Sequence, residues 1–265
     1  MEVRRVKVLV SRYAKMRYNY IKRMLSGYNI KIDNKKYDAI LVFGGDGTFL
    51  KYAALYHDKP ILAVKSTSAE SKLLGSRGLT IEVTDADLPK VLRAISEQNF
   101  YIKEEPLLKL RYMNKEYITA GDFYIERGNI RSALRYKLRV SYHGKETEIW
   151  GISNGVIITT PLGSTGYYAY VDILNKKRPK RINGLGVAHI LPTYVIEMCG
   201  KTRRQGNVRE VFPIESKITL TFNRGARQYL YGPTLPERGI AVENGKELTF
   251  KIASERLKLI ALHAK

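Results

Sequence analysis

The spacing of apolar positions changes character once along the chain. Before about residue 105, short continuous apolar runs alternate with helical stripes. VKVLV near the start reads as a buried strand, and a helical stretch over about 14–26 ends at Gly27. AILVF at 39–43 is an unbroken apolar run that stops at glycines, the mark of a strand covered on both faces. TFLKYAALY then reads as a helix, and PILAVK at 60–65 as another strand. TDADLPKVLRAISEQNF opens on capping residues and sets Leu88, Val91, Leu92 and Ile95 at helical spacing. Strand and helix in alternation predict a parallel sheet with covering helices.

Past residue 105 the segments are short, rich in β-branched and aromatic residues, and split by turn signals: LLKLRYM, KEYITA, DFYIER, ALRYKLRVSY, TEIWGISNGVIITT, KITLTF and ELTFKI. HGKE at 143–146 and ENGKE at 243–247 read as hairpin turns. The expected fold class is therefore an α/β N-terminal domain with a parallel sheet, residues 1–105, followed by a β-rich, antiparallel, sandwich-like C-terminal domain, residues 106–254. The closing apolar stretch around 255–262 is read as a strand returning to the first domain. No internal repeat or low-complexity linker interrupts this pattern.

Composition narrows the function classes. Hydrophobic residues make up 44%, enough for a core. No apolar run approaches the roughly 18 residues of a membrane span, and MEVRRVKVLVSRYAK reads as a first strand and not as a signal peptide. Cys199 is the one cysteine, and His57, His143, His189 and His263 show no ligand spacing, so a cytoplasmic protein with no protein-held metal cluster is expected. Lys and Arg number 46 against 25 Asp and Glu, a net charge of +21. Such a surface concentrates anions; phosphorylated small molecules, polyphosphate and nucleic acid all fit, as does a merely solvated charge-rich surface. The runs KKRPKR at 176–181 and KTRR at 201–204 read as exposed loops, either meeting phosphate or simply solvated. No recognition-helix or RNA-binding motif is present, so nucleic acid is not expected as a partner.

GGDGT at 44–48 is the first stretch that carries chemistry. A strand, a glycine-rich turn and a helix start make an anion site, because backbone N–H groups point outward and the helix dipole favours negative charge. Gly44, Gly45 and Gly47 allow close backbone approach, and Thr48 can cap the helix or add a hydroxyl donor. Asp46 would repel a phosphate. A carboxylate beside a phosphate has two uses: it takes the proton of an attacking hydroxyl, or it helps hold Mg²⁺. The plainer reading is that Asp46 only caps the turn. A second stretch, SNGVIITTPLGSTGY at 153–167, runs an apolar strand into Gly, Ser, Thr and Tyr, a composition suited to sugar hydroxyls and a ring.

GGDGT followed by TPLGSTGY at 160–167 resembles the NAD kinase family, in the right order and within the right architecture. The resemblance is close over about 37–57 and 117–170. It implies ATP- or polyphosphate-dependent phosphorylation of NAD to NADP at the 2′-hydroxyl of the adenosine ribose, with Mg²⁺ or another divalent cation. It implies that Asp46 is the base, with Gly47 beside it and Lys51 one turn into the helix. It places Gly163, Ser164, Thr165, Gly166 and Tyr167 on the dinucleotide, matches Asp122 to the acid of the intervening motif, and suggests a dimer or tetramer. The chain departs from the family at Gly121, where asparagine is usual, and at Asn154, where many members have aspartate. KSTSAESKLLGSRGLT stands in place of an LGFL-type segment, and YVDIL replaces a glycine pair. These departures leave the acceptor open: a lipid or another nucleoside under the same chemistry, or a non-catalytic nucleotide-binding protein, are the alternatives.

Overall fold

The computed structural model describes residues 2–12, 14, 18–65, 83–199, 202–224 and 227–263. The chain divides into two compact units, one of residues 1–105 with 255–265 and one of residues 106–254.

The first unit contains β1 (Arg5–Val10), α1 (Tyr18–Gly27), β2 (Lys31–Ile32), β3 (Ala39–Gly44), α2 (Asp46–Leu55), β4 (Ile61–Lys65), β5 (Val83–Thr84) and α3 (Leu88–Ser96). β2, β1, β3 and β4 lie side by side and parallel, and β5 pairs with the end of β4. All six residues of the central strand β3 are buried, which is why its apolar run is unbroken. Leu88, Val91, Leu92 and Ile95 of α3 are buried. At about 1.5–3 kcal/mol each relative to exposure, they hold a helix too short to be stable alone. The expected helix over 14–26 begins at Tyr18; residues 13 and 15–17, and 66–82 with the segment that replaces LGFL, lie outside the described residues.

The chain continues through β6 (Tyr101–Tyr112), β7 (Lys115–Thr119), β8 (Asp122–Arg127), β9 (Leu134–Tyr142), β10 (Lys145–Ser153), β11 (Gly155–Thr159), α4 (Tyr170–Leu174), β12 (Leu185–Ile190), β13 (Tyr194–Cys199), β14 (Thr202–Gln205), β15 (Arg209–Phe212), β16 (Lys217–Arg224), β17 (Gln228–Tyr231), β18 (Ile240–Val242) and β19 (Glu247–Ala261). In the second unit β14, β13, β10, β9, β16 and the start of β19 are consecutive antiparallel neighbours. A six-stranded antiparallel sheet has the order β15, β12, β11, β8, β17, β18. Tyr136, Leu138, Ile218 and Phe250 of the first group meet Phe123, Ile125, Ile158 and Val187 of the second in one core. At the other end of β19, Leu259 pairs parallel with Ile61.

One expected hairpin is present, and three other local expectations need revision. HGKE is a two-residue hairpin, with His143 and Gly144 both left-handed (φ 45° and 75°). ENGKE is not one: β18 pairs with β17 and β19 with β16, so the turn at Gly245 carries the chain from one sheet to the other. Residues 202–204 of the KTRR stretch lie in strand β14, which pairs with β13. TEIWGISNGVIITT is likewise two strands in two sheets, broken at Asn154. Gly155 begins the second, and glycine is required there because a Cβ would stand 2.4 Å from the Ile125 carbonyl oxygen.

Candidate functional site

The residues picked out from the sequence fall into two groups, one in each unit. In the first unit β3 runs straight into α2, and Asp46 is the first helical residue. This helix starts two residues earlier than TFLKYAALY suggested. Gly45 is the N-cap, extended at φ −96° and ψ 179°, with no side-chain cap. The N-cap position is thus held by Gly45 and by neither Thr48 nor Asp46. The first helical hydrogen bond runs from Phe49 N–H to the Gly45 carbonyl, so the N–H groups of residues 46–48 lie at the open end. Asp46 is half-buried there, where the dipole favours its charge.

The glycines of this loop have different causes. A Cβ at Gly44 would stand 2.9 Å from Thr48 Cβ, so the loop's own packing requires that glycine. A Cβ at Gly47 would meet nothing within 4 Å. Gly47 is exposed in the first turn of a helix, where glycine costs up to about 1 kcal/mol relative to alanine. Nothing in the described protein explains it, and space beside Asp46 is what it provides. Lys51 is exposed further along α2.

In the second unit the turn after β11 is held by its own polar groups. Thr160 N–H donates to the Gly121 carbonyl at 3.0 Å, and Thr160 Oγ1 donates to the Ala120 carbonyl at 2.6 Å. Gly163 N–H donates to Thr160 Oγ1, and Ser164 Oγ donates to the Pro161 carbonyl while accepting from Ile182 N–H. Ser164 is fully buried. The hydroxyls of Ser164 and Thr160 thus bond within the loop itself. Gly163 packs on Gly121, with a Cβ position 2.6 Å from the Gly121 carbonyl carbon. Glycine at 121, where the resembling family has asparagine, is part of this close backbone approach.

What faces outward is Gly166 and Tyr167, with Thr165 partly covered beside them. The Thr165 hydroxyl oxygen is buried without a hydrogen-bond partner, and Gly166 and Tyr167 are exposed. Tyr167 OH donates to Glu126 Oε1 at 2.9 Å. Its ring meets Tyr124 edge-on at 5.4 Å, and Tyr124 stacks on Tyr231 at 5.3 Å. Burial and the Glu126 carboxylate push the Tyr167 hydroxyl well above the usual tyrosine range. Asp122 opens β8 opposite Thr159, beside the start of the turn. Burial raises its carboxyl to about 6. Asn154 lies beyond the other end of β11, where its backbone joins Ile190 and Arg127. Because Glu126 stands opposite Gly155, the turn doubles back along β11 and brings Tyr167 toward that end.

A buried line of polar groups lies beneath: His189 Nδ1, Tyr136 OH, Ser153 Oγ and the Gly155 carbonyl, at 2.6, 3.0 and 2.6 Å. Burial lowers the His189 imidazole to about 4, so it is neutral at pH 7. The basic run 176–181 is exposed apart from Pro179 and is tied at its base, where Arg209 binds Asp172 of α4 with two bonds of 2.7 Å. Sequence reasoning did not single out Tyr124, Glu126 or Tyr231. The alternation of DFYIER places Tyr124 and Glu126 on one face, but their partner on β17 is about a hundred residues away.

No family model matches the chain. It is similar to curated NAD kinases. That of Sulfurisphaera tokodaii is 28% identical over 174 residues, 65% of this chain and 63% of that protein. That of Methanopyrus kandleri is 31% identical over 144 residues, 52% of this chain and 48% of that one. The chain thus spans less than two thirds of the length of these relatives. Among solved structures it shares the fold of an NAD kinase from Archaeoglobus fulgidus in complex with ATP, with a TM-score of 0.70 and 18% identity over 96% of this chain and 92% of that one. Yeast NADH kinase complexed with NADH gives a TM-score of 0.71 and 13% identity over 99% and 84%. The resemblance to NAD kinases read from the two motifs is therefore carried by sequence similarity beyond them and by the fold.

Proposed function

We propose that this protein is an NAD kinase, transferring a phosphoryl group from ATP or polyphosphate to the 2′-hydroxyl of the adenosine ribose of NAD. The observation that carries the reading is the start of α2. A carboxylate stands at the open end of a helix, next to a glycine whose missing side chain leaves unexplained space. In this reading the bond that forms joins the ribose O2′ to phosphorus. The bond that breaks joins phosphorus to the oxygen bridging it to the rest of the donor, which leaves with the electron pair. The O2′ proton passes to the Asp46 carboxylate. The N–H groups of residues 46–48 favour the charge on the donor phosphates, and Lys51 adds a cation nearby. Thr165, Gly166 and Tyr167 contact the dinucleotide, and Asp122 and Asn154 border that surface.

Among the described residues no three His, Cys, Asp or Glu gather as a metal site. Mg²⁺ needs no such cage: one carboxylate plus substrate phosphates commonly hold it, and Asp46 fits that role. When bound, Mg²⁺ neutralises charge on the donor phosphates. Among the described residues no helix is long and apolar enough to cross a membrane; a cytoplasmic location and a dimer or tetramer are parts of this proposal, the latter read by analytical ultracentrifugation.

Incubation with Mg-ATP or Mg-polyphosphate and a panel of NAD, NADH, nucleosides and diacylglycerol tests it. The expected result is a gain of one phosphate on NAD. Phosphorylation of the lipid or nucleoside alone would replace the acceptor, and transfer to none would overturn the kinase reading.

A further inference from the structure

We propose that Glu126, Tyr124 and Tyr231, with Tyr167, form the seat of a planar base carrying an exocyclic amino group, and that Glu126 is the residue that selects it. The inference rests on the dinucleotide reading above, in which that base is adenine. Tyr124 on β8 and Tyr231 on β17 are direct cross-strand partners. Their rings stack at 16° with centroids 5.3 Å apart. Tyr167 closes on Tyr124 at 85° from the turn after β11. Three separate segments thus bring aromatic rings to one surface, and Tyr167 is 40% exposed there. Stacking on such rings accepts any base and does not choose among them.

Glu126 supplies the choice. It accepts the Tyr167 hydroxyl on Oε1. Among the described residues it takes part in no ion pair, in a chain with 46 cations and 25 acids. An ionised carboxylate is an acceptor only. It welcomes an amino group and repels a ring carbonyl at the same position. A site built to take such a hydrogen bond rejects the analogue that lacks the donor far more strongly than an apolar pocket could.

The test compares NAD with its hypoxanthine analogue, in which a carbonyl replaces the amino group. The expected preference for NAD in kcat/KM is about thirtyfold or more. Glu126→Gln offers both donor and acceptor, and should shrink the preference to about threefold. Tyr231→Leu should raise KM for both dinucleotides about tenfold and leave their ratio unchanged. A purely structural role for Glu126, holding Tyr167, predicts that Glu126→Gln lowers both substrates equally, and that outcome overturns the proposal. So does equal use of both bases by the wild type. Binding of adenosine over inosine, followed by NMR without any phosphoryl transfer, would sustain the base seat and overturn the kinase reading. Binding of neither nucleoside and neither dinucleotide would overturn both.

Discussion

Gly47 and Gly163 sit in stretches of similar composition, GGDGT and PLGSTGY, yet a methyl group added at each meets different surroundings. At Gly47 it finds nothing within 4 Å; at Gly163 it finds the Gly121 backbone and Thr159 Oγ1 at 2.6 Å. The first loop is open at Gly47, and no packing among the described residues requires glycine there. The second is closed on itself, with Thr160, Gly163 and Ser164 bonding one another and the 120–121 backbone. Its far side, Gly166 and Tyr167, is turned outward. Glycine and hydroxyl content alone therefore does not mark a ligand contact; what decides is whether the fold already satisfies those groups.

The contrast breaks most visibly at Gly163. Gly163→Ala drives a Cβ into backbone that has no room to give, and should cost about 3 kcal/mol, read as a lowered denaturation midpoint at unchanged urea slope. A melt like the wild type would show that the turn is loose, and the contrast false.

Asp122 tests the border of the closed turn. Its folded carboxyl is raised to about 6 from 3.8. The sign follows: the unfolded chain loses the proton first, so the contribution to stability is present below about 4 and is lost as pH rises through about 6. Asp122→Asn should gain up to about 3 kcal/mol at pH 7. His189, lowered to about 4 from 6.5, works oppositely, its contribution being lost as pH falls between those values. The wild type should thus show a shallow slope between pH 4 and 6, and Asp122→Asn should steepen the acid loss. An unchanged slope would contradict the burial assigned to Asp122. An acid that folding disfavours, beside an outward-facing turn, is what a binding surface would keep.

Smaller effects sharpen the outward side. Tyr167→Ala should raise KM for the dinucleotide about tenfold, with less change in turnover, because a ring binds ground and transition states alike. A collapse of turnover at constant KM would assign Tyr167 to the chemistry instead. Gly47→Ala should stabilise α2 by up to about 1 kcal/mol while weakening activity, since the methyl group would occupy the space beside Asp46. Full activity in a stabilised Gly47→Ala protein would remove the reason given for that glycine.

Much of the fold was legible because burial leaves a periodic trace. AILVF is unbroken because β3 is covered on both faces, and α3 shows its four buried positions at helical spacing. HGKE identified a hairpin through its two left-handed residues. ENGKE carried the same local signal and misled, because which strand a turn leads to is set by pairing far along the chain. Asp46 was legible as chemistry but not as helix, since glycines on both sides hide a helix start from propensity. Tyr231 was not legible as a site residue at all, because its partner on β8 is set by sheet register.

The claim that most needs testing is that Asp46 does chemistry at the open end of α2. Asp46→Asn keeps size and removes the proton acceptor, so the measurement is turnover, dinucleotide binding and melting temperature on one preparation. The account predicts a folded protein that binds NAD within a few-fold of wild type and transfers phosphate at least about a hundredfold more slowly. A folded Asp46→Asn protein with near wild-type turnover would contradict it.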